Sequence, residues 1–202
     1  MPTTDVRIIN QALSHLGHTI FIDSRDEDTN EVAVSDVHYD DALAYVLEDF
    51  AWGFAHRYVT PGLVEDFTLV ATVHDWDYSY RYPVDTAKIR RIVTSLGLRE
   101  TTPPPFVIGS DDSGRLIYTN TVEAIVSTTA LITDPALFPA MFAEALSWWL
   151  AFLMVPGLAK DKGVAGQCFA MYDRIMMRAA SSAGNESQHD PDEDSEAIRA
   201  RL

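Results

Sequence analysis

Between Pro135 and Val155 the chain carries one charged side chain, Glu144, in the run PALFPAMFAEALSWWLAFLMV. A run this apolar has to be covered on nearly every side, so whatever covers it decides the fold. Its length approaches that of a membrane span. Against a span, Pro135 and Pro139 stand in its first turns, alanine is plentiful, and a charge at mid-bilayer costs about 3 kcal/mol. We therefore expect a helix over 134–155, buried by a bundle or by neighbouring subunits, with no membrane partner. Thr133-Asp134-Pro135 supplies its start, a capping side chain before a helix-opening proline, and Pro156-Gly157 its stop.

The main cover is written into residues 30–58. Val32, Tyr39, Leu43, Val46, Leu47, Phe50 and Phe54 recur at helical spacing and form one apolar stripe, with Asp36, Asp40, Asp41 and Glu48 mostly on other faces. Asp28 or Thr29 can cap the N-terminus, and Glu31 lies in the first turn, where the helix dipole favours negative charge. The spacing predicts a helix over 30–54 closing in an aromatic knot, Phe50-Ala51-Trp52-Gly53-Phe54. A shorter helix over 4–16 has Val6, Ile9, Leu13 and Leu16 along one side, with Gly17 placed as its C′ residue. A last helix over 160–181 offers Val164, Cys168, Met171, Ile175 and Met176 for packing.

After Pro61-Gly62 the period changes from helical to alternating. In Trp76-Asp77-Tyr78-Ser79-Tyr80-Arg81-Tyr82-Pro83 four aromatics alternate with polar residues, which puts every ring on one face of a strand. Ile89, Ile92 and Val93, then Phe106 to Ile108, Leu116 to Tyr118 and the Val/Ile/Thr-rich stretch 122–132 read as further strands, with a hairpin turn at Asp111-Asp112-Ser113-Gly114. The expected fold is α+β and mainly α: an antiparallel helical bundle with a small antiparallel β lobe inserted over about 60–132, forming one domain over 1–184. From Ser181 onward the chain is polar and acidic, so residues 185–202 are expected to be a disordered acidic C-terminal arm.

Charge and composition remove several function classes. A formal charge of −15 opposes ordinary nucleic-acid binding, which needs cations to displace counterions from phosphates. One cysteine, Cys168, excludes an internal disulfide and any cysteine-based metal site. The opening MPTTDVRIIN has no cationic stretch before an apolar run, so no signal peptide is expected. No glycine-rich phosphate loop, G-x-S-x-G elbow or H-E-x-x-H motif is present. His38 and Asp41 share a helical face and could hold a metal with Asp36 or Asp40, but a single histidine among carboxylates is usually a solvated face. His15 and His18 flank a helix end and read as structural, and Cys168 as an inert core thiol. No enzyme, cofactor or metal is expected.

The aromatic residues divide between core and interface. Trp76, Tyr78, Tyr80 and Tyr82 either fill the β lobe or form a ladder for a sugar or a partner subunit. Phe50, Trp52, Phe54, Trp148 and Trp149 pose the same choice on the helices.

Taken in order, five patterns resemble one family. These are Ala12-Leu13-Ser14-His15-Leu16-Gly17; an acidic turn; Leu47-Glu48-Asp49-Phe50-Ala51-Trp52-Gly53-Phe54-Ala55; Tyr80-Arg81-Tyr82-Pro83-Val84-Asp85; and Phe142-Ala143-Glu144-Ala145-Leu146 leading to Leu150-Ala151. Together they resemble the head-to-tail adaptor proteins of tailed bacteriophages, called tail tubular protein A in some short-tailed phages, over roughly residues 5–155. The resemblance implies a structural virion protein at the head–tail interface, assembled in the host cytoplasm as a twelve-fold ring. It implies a portal protein above, a tail or nozzle protein below, and DNA passing transiently through the ring. An acidic lining would let DNA slide where a basic one would grip it. The family's terminal arms contact the portal, which makes Ile198, Arg199, Arg201 and Leu202 the expected portal-contacting residues.

Overall fold

The computed structural model describes residues 3–69, 75–93, 102–159 and 163–186. Among them, helix α1 (Asp5–His15) opens with the Thr4 hydroxyl accepting from the Arg7 amide and closes at Gly17, whose φ of 82° lets the His18 amide return to the Leu13 carbonyl at 3.0 Å. The Asn10 side chain then clamps both backbone groups of Ile22, at 2.8 and 2.9 Å, which fixes the acidic turn. Helix α2 (Asn30–Asp49) is capped by Thr29.

The expectation of a helix reaching residue 54 is corrected. Phe50 is already extended, with φ −132° and ψ 152°. Side chains take over the carbonyls that the helix releases there. Trp52 Nε1 donates to Val46 O at 2.8 Å, and Arg90 Nη2 donates to Leu47 O and Phe50 O at 3.0 and 2.6 Å. The knot therefore leaves the helix and turns through a short 3-10 segment at Gly53–Ala55.

Seven strands follow among the described residues: β1 (His56–Val59), β2 (Leu63–Asp66), β3 (Tyr78–Arg81), β4 (Thr86–Val93), β5 (Phe106–Asp111), β6 (Gly114–Thr119) and β7 (Ile125–Ala130). They form two antiparallel sheets, ordered β1-β7-β4 and β2-β3-β6-β5. This overturns the mainly helical bundle with a small β lobe; the chain is a mixed α+β fold. Strands β1 and β2 were not among the expected strands, because both are short and largely exposed and carry no clean alternation. Strand β1 pairs with β7, His56 opposite Thr129, so that the first and last described strands lie side by side, a pairing that no local pattern encodes. Side chains from both sheets make a separate core of Tyr80, Tyr82, Ile89, Ile92, Ile117 and Val126. The first sheet meets the helices directly: Arg90 on β4 bonds Thr129 on β7 at 2.8 Å while capping α2.

Helix α3 (Ala140–Leu158) is the centre of the helical half, with α1, α2 and α4 (Val164–Glu186) packed around it. Phe142, Leu146, Leu150 and Met154 on α3 are fully buried, as are Ile8, Ile9, Leu13, Val46 and Leu47 facing them. Two boundaries differ from expectation. Pro135–Leu137 forms a 3-10 turn capped by Asp134, and the α-helix begins only after Pro139. Pro156-Gly157 does not stop it: Pro156 gives up its bond to the carbonyl four residues back, yet the helix runs on to Leu158 and the Ala159 amide reaches Val155 O at 3.1 Å. Helix α4 continues past 181 to Glu186, with the Ser181 hydroxyl bonded to Met177 O.

Candidate assembly interface

Ring contacts sort the aromatics of the sequence into three groups. The knot is the first. Phe50 meets Trp52, and Trp52 and Phe54 meet each other and the Phe138–Phe142 pair, all at centroid distances of 4.8 to 6.4 Å and mostly edge to face. Trp52 is buried, with Phe50 and Phe54 half-buried around it. This cluster seals the junction of α2, α3 and the sheets and is core. Phe138 lies in the extended link before α3, so no helical spacing in the sequence pointed to its part in the knot.

The β-strand aromatics form the second group. Strand β3 is shorter than the expected 76–83, so Trp76 precedes it and Tyr82 follows it. Tyr80 is 3% exposed, its hydroxyl donating to Thr121 O, and Tyr82 lies under the Arg115 guanidinium at 3.9 Å. Trp76 and Tyr78 are half-buried. Two of the four rings are thus core, and no continuous ladder faces solvent. The neighbouring Arg81 makes a two-pronged ion pair with Asp111, at 2.8 Å twice, which holds the Asp111 carboxyl down at about 2.

The third group is open. Trp149 is buried under a ring cluster with Tyr45 of α2 at 4.2 Å, Tyr172 of α4 at 5.0 Å and Phe152 of α3 at 5.1 Å. Phe169 of α4 meets Phe152 at 5.8 Å. Tyr45 and Phe169 are nevertheless 45% and 49% exposed, and Phe152 is half-buried. The Tyr172 hydroxyl donates to Asp49 at 2.7 Å, and burial together with that carboxylate pushes its pKa up. Further round α3, Trp148 is half-buried and stacks flat on His15 of α1 at 3.5 Å. His15 Nε2 lies 3.1 Å from Ser147 Oγ. The Ser147 proton is committed to Glu144 O, so His15 must donate through Nε2. Burial holds His15 at about 4.

Half-buried Met141, Trp148 and Phe152 and exposed Glu144 and Pro156 recur along one side of α3. Only half of its most apolar window is buried. With Phe169 of α4, which meets Phe152 here, this side is a partly open aromatic and apolar face on the most hydrophobic helix among the described residues.

The remaining sequence candidates come to less. His38 is half-buried and Asp36, Asp40 and Asp41 are exposed on α2; Asp36 is engaged by Arg25 at 2.7 Å. Among the described residues no group of three or more His, Cys, Asp or Glu is placed to hold a metal. Cys168 is buried in the helical core, and burial pushes its thiol up. Ile198, Arg199, Arg201 and Leu202 lie outside the described residues, as does the 187–202 part of the acidic arm. Comparison of the chain with protein-family models finds no match, and comparison with curated proteins finds none either.

Proposed function

We propose that this chain is a head-to-tail adaptor of a tailed bacteriophage, a non-enzymatic ring subunit between the portal and the tail through which DNA passes. The observation that carries this reading is the uncovered face of α3 and α4. A helix as apolar as α3 is stable in water only when its sides are covered, and here Trp148, Phe152 and Phe169 stay partly open. In a closed ring, neighbouring copies would cover such a face, burying enough aromatic area for a stable interface. The order of the sequence patterns supports the family, and the charge of −15 suits a wall that DNA must slide past. A sugar-binding ladder on residues 76–82 is the weaker reading, because Tyr80 and Tyr82 are core.

The test is a pair of charge substitutions, Phe152→Glu and Phe169→Glu, made together. The expected outcome is a chain with unchanged circular dichroism that no longer self-associates under conditions where the wild type forms rings. Rings that persist in the substituted chain would count against this face.

A further inference from the structure

The sheet β1-β7-β4 breaks the charge pattern of the chain. The sequence carries 30 acidic side chains against 15 Lys and Arg. Yet these three strands hold no Asp or Glu, and they hold Arg57, Lys88, Arg90 and Arg91. Register sets where the side chains stand. His56, Thr129 and Lys88 form one row across the sheet, and Tyr58, Ser127 and Arg91 form the next row on the same face, with a bulge in β4 between them. Side-chain bonds agree: His56 Nε2 lies 2.9 Å from Ser127 Oγ, and Arg90, at the bulge, bonds Thr129. His56, Tyr58, Lys88 and Arg91 are all exposed.

These cations are not neutralised as others in the chain are. Arg25 and Arg81 hold carboxylates, whereas Arg57, Lys88 and Arg91 form no ion pair among the described residues. Lys88 Nζ reaches only a main-chain oxygen, Glu48 O, at 3.4 Å, and Arg57 Nη1 only those of Phe54 and His56. The carboxylates acting on Arg90 are Glu48 and Asp49 at the end of α2, two against four cations. The surface is also poor in apolar groups: Tyr58, 52% exposed, is the one large hydrophobic side chain that these strands expose. A protein partner needs an apolar centre to desolvate, which this face lacks. Phosphate oxygens are bound by the groups it does offer, Arg, Lys and a Tyr hydroxyl.

We propose that this face of the sheet is where the chain touches the phosphate backbone of duplex DNA, an inference that rests on the adaptor role proposed above. Lys88, Arg91 and, from the edge of β1, Arg57 meet phosphates, and the Tyr58 hydroxyl donates to one. The contact lies on the outside of the duplex and reads no base edge, so it is independent of sequence and DNA can move past it. At physiological salt, charges beyond about 8 Å are largely screened, so a local cluster of cations acts in spite of the net charge. The acidic remainder of the surface repels phosphate and confines contact to this face.

The experiment is fluorescence anisotropy of a labelled 20-base-pair duplex titrated with the full chain, with the oligomeric state followed by light scattering. Between 50 and 200 mM salt the affinity should fall about 40-fold per bound chain, as three phosphate contacts require. Lys88→Gln/Arg91→Gln should melt at the wild-type temperature, bind more weakly at 50 mM salt, and lose only about three- to fourfold over the same salt range. Arg174→Gln/Arg178→Gln removes the same charge from exposed positions on α4 and should leave binding within twofold of wild type. Equal losses in the two double variants, or no binding by wild type at 50 mM salt, would overturn the proposal. So would polyglutamate displacing the duplex at equal charge concentration, because an acidic protein surface would then be the partner. Assembly is scored separately: DNA binding through this face by a chain that never forms rings sinks the adaptor reading alone, and rings that bind no DNA sink this inference alone.

Discussion

Arg90 sits on β4 with its guanidinium against the last turn of α2, donating to two carbonyls there and to the Thr129 hydroxyl. Arg90→Met keeps the aliphatic stem and leaves those acceptors unpaired. It is expected to cost about 2–3 kcal/mol, read as a lower urea midpoint at unchanged slope. Tyr39 is the converse case. Its hydroxyl is buried with no hydrogen-bond partner among the described residues, and burial pushes its pKa up. Tyr39→Phe is therefore expected to be neutral or to stabilise by about 1 kcal/mol in the same assay. His15 gives a pH dependence. Its folded value of about 4 lies below the ordinary 6.5, so between those values the unfolded chain binds a proton that the folded chain does not. Stability must then fall as pH drops through this window, by about 1–2 kcal/mol between pH 6.5 and 5. His15→Gln, which can keep the bond to Ser147, should lose that much less over the same interval. None of these contacts is visible in the sequence, because each joins residues far apart along the chain.

At the scale of elements, local signals and long-range pairing part company. The capped starts of α1 and α2 and the Gly17 stop follow from neighbouring residues, and the hairpin at Asp111 to Gly114 is where turn chemistry put it. The early end of α2 depends on Arg90, forty residues away, and the two sheets depend on β1 meeting β7. No periodicity records such pairings, which is why a small lobe was expected where two sheets stand. Gly157 shows how closely the elements approach: a Cβ there would come within 3.1 Å of both methyls of Val34 on α2. A valine in a helix holds essentially one rotamer and cannot swing aside. Gly157→Ala is thus expected to destabilise by about 1 kcal/mol in thermal unfolding, although alanine is the better helix former. Pairing it with Val34→Ala should recover the loss.

For the whole molecule, the two halves do different work. The sheets bury Tyr80 and Tyr82 in a core of their own, whereas the helices leave a hydrophobic side partly open around Trp148, Phe152 and Phe169. The apolar run at 135–155 was readable as something to be buried, and the fold buries only half of its most apolar window within one chain. The question of a partner therefore outweighs that of an active site. The most direct measurement of the proposed adaptor role is the mass of the protein by light scattering, alone and then mixed with bacteriophage portal rings. A ring-sized mass, alone or on the portal, is the expected result. A chain that stays monomeric and does not bind the portal would contradict the adaptor reading.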